Sequence, residues 1–251
     1  MASRFNGDLP PNSFYPLNDR VYVSSPGFSF LQMACVLDLP KLIAYGDELC
    51  GLYAFDEKNE RGMLQRDTPL ITEKQLEAFI ASAKGLQDYK QAKRALPFII
   101  ERSASPMETV DEMLLCLPYR LGGYAIRQPT MNHEVALTTE ASRLCHKGKC
   151  RADISWPPIK FDLEYQGHAD HLDREDFVAD RRRINALRIM GYEVIELTND
   201  QVRDWHSFEI LALHTAKTVG HRLQKRDLGL TAERKNLRCS LFAWNASYGH
   251  R

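Results

Sequence analysis

The sequence predicts an α/β fold in which a mixed β-sheet is flanked by helices and preceded by an α-helical N-terminal region. The run Phe161–Gln166 alternates apolar and polar side chains, as a strand with one buried face does. An arginine-rich helical pattern follows from about Val178 to Met190, and Gly191 is placed to end that helix. A second apolar strand pattern, Tyr192–Leu197, comes directly afterwards. Strand, helix and strand in this order are typical of an α/β unit.

Helix-start signals dominate residues 1–100. We expect four helices there, placed by proline at a first helical position, by a capping-box pair or by apolar spacing. They are Ser25-Pro26 through Leu37, Pro40 to Gly51, a helix capped by Thr72 with Gln75, and Tyr89 to Leu96. We therefore expect residues 1–100 to form a mostly helical region. Residues 101–251 should form the α/β domain, with basic helices at its C-terminal end.

Composition bounds the class of protein. A chain of 251 residues suits one large or two modest domains, and 44% hydrophobic with 26% charged residues is ordinary globular composition. No apolar run is long enough to span a bilayer, and no basic segment followed by an apolar stretch opens the chain. The six cysteines are scattered and lack the spacing of a small disulfide scaffold, so we expect them to be reduced thiols. We expect a cytoplasmic protein with no membrane partner.

Charge is distributed unevenly although the formal net charge is zero. The segment from Thr215 to Arg251 has eight Lys and Arg against two Asp and Glu, a net +6, so the rest of the chain has −6. Such a tail could grip a DNA backbone, with Lys225 and Arg226 among its contacts and nearby aromatic rings stacking on bases. The alternative is a helix packed on the core with its charges in water.

Strand parity brings acidic side chains together. In the run Phe161–Gln166, the residues Asp162, Glu164 and Gln166 share one face, because side chains two apart point the same way. Asp153 lies on the preceding strand, and it points as Glu164 does if Pro157-Pro158 forms the turn between antiparallel partners. Convergent carboxylates suit Mg²⁺ or Mn²⁺, which prefer oxygen ligands and keep several waters. The alternative is that both acids are solvent-facing residues of a half-exposed sheet.

A family resemblance runs through this region. The residues that carry it are Asp153, Glu164-Tyr165-Gln166-Gly167, the turn to His171, Asp180 with Arg181 to Arg183, Ala186-Leu187, Gly191-Tyr192 and Val194 to Thr198. At these positions the chain resembles the PD-(D/E)XK nuclease superfamily, in particular its small branch related to very-short-patch-repair endonucleases. The resemblance implies a restriction-endonuclease-like sheet, Mg-dependent cutting of DNA, and metal ligation by Asp153, Glu164 and the backbone carbonyl of Tyr165. Gln166 stands where the family often has Lys; an amide can orient water but cannot act as a general base.

Glu108 is a further candidate ligand and catalytic residue. The stretch Ser103–Thr109 resembles the segment that opens the first helix of this branch, where an acid reaches the metal site from the side. The same residues also form a capping-box pattern, with Ser105 as the cap, Pro106 at the first helical position and Glu108 three residues after the cap. The two interpretations are compatible.

Two histidines and three arginines complete the candidate site. His168 and His171 follow Glu164 and could protonate a leaving oxygen or contact the scissile phosphate, or they could be surface residues. A zinc site that adds Cys145, His146 and Cys150 is a weaker alternative, because this spacing favours two strands joined by a Gly-containing turn. Contact with the acids or with a phosphate is the candidate role of the arginines on the helix, and plain solvation is the alternative. These arginines are Arg181, Arg182 and Arg183.

The expected function is a Mg²⁺- or Mn²⁺-dependent DNA endonuclease of DNA repair or of defence against foreign DNA. A homodimer would supply two active sites for a double-strand cut. The alternative is a non-catalytic nuclease-fold protein that binds DNA or serves as a toxin–antitoxin accessory. The stretch from Val23 to Ala34 resembles the region that precedes the nuclease-like domain in abortive-infection antitoxin-like proteins.

Overall fold

The computed structural model describes residues 8–56, 58–59, 62–167, 174–224 and 227–249. The chain divides into two compact units. The first comprises Met1–Pro106 together with Cys239–Arg251, and the second is Met107–Arg238. The division after Pro106 lies close to the expected limit at residue 100. The last residues belong with the first unit, although we expected them in the α/β domain.

The first unit consists of helices and two short hairpins. Its elements in chain order are β1 (Phe14–Pro16), β2 (Tyr22–Ser24), α1 (Pro26–Met33), α2 (Leu39–Cys50), β3 (Tyr53–Phe55), β4 (Met63–Gln65), α3 (Glu73–Ser82) and α4 (Tyr89–Ala95). Strands β1 and β2 pair antiparallel, and so do β3 and β4. The four predicted helices are present, whereas neither hairpin was predicted from the sequence.

Local caps explain where these helices begin. The Ser25 hydroxyl accepts from the backbone N–H of Phe28, and the Asp38 carboxylate accepts from that of Lys41. Thr72 and Gln75 form the predicted capping box in both directions. Each cap satisfies a backbone donor that the first helical turn leaves without a partner. The α1 helix ends at Met33, four residues before the expected end at Leu37.

The second unit contains the α/β part of the chain. Its elements are α5 (Pro106–Cys116), β5 (Thr130–Ala136), α6 (Thr139–Cys145), β6 (Lys149–Trp156), β7 (Phe161–Gln166), α7 (Arg174–Ile189), β8 (Glu193–Thr198), α8 (Asn199–Arg203), α9 (Trp205–Thr218) and α10 (Ala232–Gly249). The α10 helix runs from this unit into the C-terminal segment of the first one.

A four-stranded mixed sheet organises the second unit, with strand order β5-β6-β7-β8. The β5–β6 and β6–β7 pairs are antiparallel, and β7 and β8 are parallel. A short 3-10 turn at Pro157–Ile159 joins β6 to β7, as the paired prolines predicted. The α7 helix forms the crossover between the parallel strands and ends at Ile189, two residues before Gly191, whose positive φ of 86° suits glycine. The mixed α/β fold class is therefore confirmed.

The α7 helix packs on the sheet through small and aliphatic side chains. Ala186 and Leu187 are fully buried against a cluster that includes Ala152 of β6 and Tyr192 before β8. Rings on α9 and the sheet also approach each other: the Phe161 and His214 ring centroids lie 6.0 Å apart. The burial of Ala186 and Leu187 fixes the position of α7, and α7 carries the arginines of the candidate site.

One segment differs from its expected structure. We expected Cys145–Cys150 to be two strands joined by a turn, but Cys145 ends α6, which Thr138 caps through the N–H of Ala141. The turn is confirmed at His146, whose φ is 57°, and the second strand begins at Lys149. The hydroxyl cap is a local signal that outweighs the strand pattern. Cys145 and Cys150 are buried in the cluster beneath α7.

Within the described residues, no helix combines the length and the apolar character that crossing a membrane requires.

Candidate active site

Asp153 and Glu164 lie side by side on neighbouring strands. Backbone pairing of β6 and β7 runs from Trp156–Phe161 to Ile154–Leu163, and these two acids are the next residues on the two strands. One nitrogen of Arg183 contacts both of them, because its Nη1 lies 2.5 Å from Glu164 Oε2 and 3.5 Å from Asp153 Oδ1. The structure thus brings together the two acids that strand parity placed on one face.

Asp162 joins them as a third carboxyl group. Its carboxyl and that of Asp153 both approach the Glu164 carboxyl within hydrogen-bonding range. Asp162 and Glu164 are fully buried, and among the described residues the cation that contacts this pair is Arg183, through Glu164 Oε2. Adjacent buried carboxylates repel each other, so this group must share protons or hold a cation.

Burial is the main cause of the altered acidity at the site. It raises the pKa of Asp162 to about 7, and it raises the pKa of Asp153 and of Glu164 well above the usual range for a carboxyl group. The positive charge of Arg183 opposes the rise at Glu164, whereas the charge of Glu164 adds to the rise at Asp153. A divalent cation at this position would favour the charged forms.

Arg183 is anchored at both ends of its guanidinium group. Its Nη2 lies 2.6 Å from Asp180 Oδ1 on the same helix, and its Nη1 donates to the backbone oxygen of Arg151 at 2.9 Å. Burial opposes its charge, but Asp153, Glu164 and Asp180 raise the pKa of Arg183 above its ordinary value. The side chain therefore stays charged in the site.

Asp180 connects Gln166 to this network. Gln166 Nε2 donates to Asp180 Oδ2 at 3.2 Å, and Arg181 Nη2 lies 3.3 Å from the same oxygen. Arg181 also contacts Glu196, which Arg188 Nη2 reaches at 3.1 Å. Glu164 and Glu196 are direct partners in the parallel β7–β8 register. These groups, together with Asp153, Asp162 and Arg183, therefore form one continuous layer between the sheet and α7, which we call the acidic layer.

Glu108 reaches the neighbouring strand β5. Its Oε2 accepts from Asn132 Nδ2 at 2.7 Å, and the pairing of Met131 with Ile154 and of His133 with Ala152 puts Asn132 level with Asp153. Asn132 adopts a left-handed conformation, with φ of 47°. Glu108 thus contacts the strand next to β6 at the level of Asp153.

Two further acids on α5 are buried. Asp111 and Glu112 are both fully inaccessible, and burial raises the pKa of Glu112 to about 8 and that of Asp111 well above its ordinary value. The sequence analysis did not single them out. Their spacing from Glu108, at three and four residues, is the signal that would have placed all three on one helical face.

The remaining predicted residues fall in different places. Arg182 is exposed, whereas Arg181 and Arg183 point into the acidic layer. Tyr165 follows Glu164 in the part of β7 that pairs with β8. Four other candidates lie outside the described residues, namely His168, His171, Lys225 and Arg226.

The carboxyl groups of the site outnumber its guanidinium groups. Five carboxyl groups, Asp153, Asp162, Glu164, Asp180 and Glu196, face three guanidinium groups, Arg181, Arg183 and Arg188, which leaves a formal excess of −2 when all are ionised. The donor atoms are hard oxygens, as Mg²⁺ and Mn²⁺ prefer. Among the described residues, no three His, Cys, Asp or Glu side chains are arranged around a common metal position. The candidate ligands are therefore the Asp153 and Glu164 pair, with a backbone carbonyl and waters completing the set.

Sequence reasoning missed several members of this layer. Asp162 was assigned to the correct face but not to the site, and Asp180 was noted only as part of the resemblance. Glu196 follows from strand parity once β7 and β8 are paired in parallel. Register between strands that are distant in sequence is the information that parity alone does not supply.

Comparison of the chain with protein-family models, with curated proteins and with solved structures finds no match.

Proposed function

We propose that this protein is a Mg²⁺- or Mn²⁺-dependent DNA endonuclease with a restriction-endonuclease-like active site on β6 and β7. The observation that carries the proposal is the meeting of Asp153 and Glu164 at the end of the β6–β7 pairing, beneath a helix that presents arginines. The resemblance at these residues to very-short-patch-repair-related nucleases supports DNA as the substrate.

Asp153 and Glu164 are the residues that would hold the cation, and the Tyr165 carbonyl and Glu108 are the further candidate ligands. Bound there, Mg²⁺ supplies a Lewis acid for the phosphoryl oxygen and a water of lowered pKa. Asp153 keeps a side-chain exposure of 15%, whereas the Glu164 side chain is fully buried. Asp153 is therefore the member of the pair that solvent and substrate reach.

Gln166 is suited to positioning water. Its Nε2 is committed to Asp180, which fixes the amide orientation and leaves Oε1 as an acceptor. An acceptor held in this way can hold one proton of the attacking water in place. The proton of that water must go to another base, because the amide does not titrate.

Leaving-group protonation is the proposed role of His168 or His171, which follow β7 in sequence. An imidazole near neutrality can donate a proton to the 3′ or 5′ oxygen as the phosphodiester bond breaks. Arg182 is exposed and is a proposed contact for a backbone phosphate, and Lys225 and Arg226 remain predicted DNA contacts.

A non-catalytic, DNA-binding or toxin–antitoxin accessory role is the second candidate. One observation favours it: Arg183 already neutralises part of the charge of Asp153 and Glu164. A site whose acids are satisfied internally can be a structural ion-pair layer rather than a metal centre.

DNA cleavage separates the two functions. Purified protein is incubated with supercoiled, linear and single-stranded DNA in Mg²⁺, in Mn²⁺ or in EDTA, beside Asp153→Asn and Glu164→Gln. The endonuclease predicts cleavage that needs the metal and both acids. Binding without cleavage under every metal would establish the accessory role, and cleavage that persists in both variants would refute the site.

A further inference from the structure

Arg183 lies where a cation shared by Asp153 and Glu164 would be held. Its Nη1 is the one described cationic group that contacts both carboxylates, at 3.5 Å and 2.5 Å. Nη1 has two N–H groups, and the closest acceptors are Glu164 Oε2 and the backbone oxygen of Arg151. Asp153 is thus held mainly by charge, since 3.5 Å is long for a hydrogen bond.

The guanidinium group has a second anchor that does not involve the metal ligands. Asp180 lies one helical turn before Arg183 on α7 and holds Nη2 at 2.6 Å. Asp180 is itself held by Gln166 and by Arg181. Arg183 can therefore release Asp153 and Glu164 by a side-chain rotation while it keeps its ion pair with Asp180.

Charge makes the guanidinium and a divalent cation competitors. Two positive groups within a few ångströms of each other repel strongly at a protein-like dielectric constant. The side chain of Arg183 retains 23% exposure, so part of it is in contact with solvent.

We propose that Arg183 is a resident counter-ion of the active site, which a divalent cation must displace from Asp153 and Glu164 before catalysis. The displaced guanidinium, still paired with Asp180, contacts the phosphate of the bound DNA. This proposal rests on the proposed function, and it adds a regulatory step: metal alone binds weakly, and an anionic substrate that attracts Arg183 strengthens metal binding.

The test is calorimetric titration of MnCl₂ into DNA-free protein. Arg183→Gln should bind Mn²⁺ about tenfold more tightly than wild type or more, because the competing charge is gone. Arg143→Gln is the matched control, since Arg143 is an exposed arginine on α6 outside the acidic layer, and it should bind as wild type does. Arg183→Lys keeps the charge on a single ammonium that lacks the planar fork of the guanidinium group, and it should bind with intermediate affinity.

A second readout guards against misfolding of the variants. Circular dichroism melting in EDTA should show Arg183→Gln less stable than wild type. In a separate series with MnCl₂ and no EDTA, the melting temperature should rise more for Arg183→Gln than for wild type, because the ion replaces the lost positive charge. If Arg183→Gln is unfolded, Arg183→Lys alone decides the question by the same titration.

The outcomes distinguish this proposal from the proposed function. Mn²⁺ binding that is equal in wild type and Arg183→Gln, or weaker in Arg183→Gln, would overturn the counter-ion role and leave the endonuclease intact. An absence of Mn²⁺ binding in wild type and in both Arg183 variants would overturn both. Binding that Glu164→Gln does not weaken would place the ion elsewhere and also overturn both.

Discussion

At the scale of single residues, the charge of the acidic layer depends on how many of its carboxyl groups remain protonated. Asp153, Asp162 and Glu164 are each shifted in the direction that favours the neutral acid, and burial is the largest cause in every case. Ionising them costs free energy unless a cation compensates the charge. The same groups that suit metal binding are therefore a stability cost in the metal-free protein.

This cost predicts how stability changes with pH. The folded protein holds the Asp162 proton up to about pH 7, whereas the unfolded chain releases it near the ordinary value of 3.8. Between those limits the folded state binds more protons, so the free energy of unfolding should fall as pH rises, by about 1.4 kcal/mol per pH unit for one proton. Asp162→Asn has no such proton and should show a shallower decline.

Urea denaturation in EDTA at several pH values between the two limits measures this effect. Glu140→Gln, a change at an exposed acid on α6, serves as control and should follow wild type. Parallel stability curves for wild type and Asp162→Asn would contradict the assigned protonation of Asp162.

At the scale of elements, a tight backbone turn follows α5. Gly123 lies where an added Cβ would stand 2.0 Å from the backbone oxygen of Leu117, and a backbone atom cannot rotate away. Gly123→Ala should therefore lower the free energy of unfolding by about 2–3 kcal/mol or more, as overpacking does. Gly148→Ala is the matched control, because an added Cβ there has no neighbour within 4 Å.

Chemical denaturation of the two glycine variants beside wild type checks this prediction. Equal midpoints for Gly123→Ala and wild type would show that the turn after α5 is looser than the structure has it. A lower midpoint for Gly148→Ala alone would show that the turn before β6, and not the turn after α5, tolerates no added side chain.

Elements with local signals could be predicted from sequence. Ser25-Pro26, the Thr72–Gln75 pair and Gly191 set helix ends through bonds to adjacent backbone groups, and the helices lie there. The β1–β2 and β3–β4 hairpins could not be predicted, because strands of three residues show no periodicity. The α6 helix was missed because its seven residues are too few for a clear amphipathic pattern.

The candidate site also combines features that local sequence signals predicted with features that they did not. Parity within β7 placed Asp162, Glu164 and Gln166 on one face, and the turn at Pro157-Pro158 brought Asp153 to Glu164. The inward direction of Arg181 and Arg183 depends on how α7 lies on the sheet, which is a tertiary property. The sequence identifies these arginines as basic residues, but it does not show whether they contact the carboxylates of the sheet or a phosphate.

At the scale of the whole molecule, the basic C-terminal stretch is partly used for internal contacts. Arg238 donates from Nη2 to the backbone oxygens of Val202 and Arg203, at 2.5 and 2.9 Å. Arg234 donates to Gly229 O at 2.8 Å, and its guanidinium lies 4.0 Å from the Tyr124 ring centroid. Both residues are buried, so fewer charges of this stretch are exposed than the sequence suggests.

DNA binding should therefore depend on the other cations of this stretch. The double change Lys225→Gln, Arg226→Gln should reduce the slope of log affinity against log salt by about two on duplex DNA, since each phosphate contact contributes nearly one. Fluorescence anisotropy in EDTA across a range of salt concentrations measures the slope. An unchanged slope would remove these two residues from the DNA interface.

The central claim is that Asp153 and Glu164 bind the divalent cation that DNA cleavage requires. Its most direct measurement is the single-turnover rate of nicking of supercoiled DNA in MgCl₂ by wild type, Glu164→Gln and Glu193→Gln. Glu193 is an exposed acid on β8, outside the acidic layer, that pairs with His214. We expect metal-dependent nicking by wild type and by Glu193→Gln, and a rate at least about a hundredfold lower for Glu164→Gln. Nicking by Glu164→Gln at the wild-type rate, or no nicking by wild type with either Mg²⁺ or Mn²⁺, would contradict the claim.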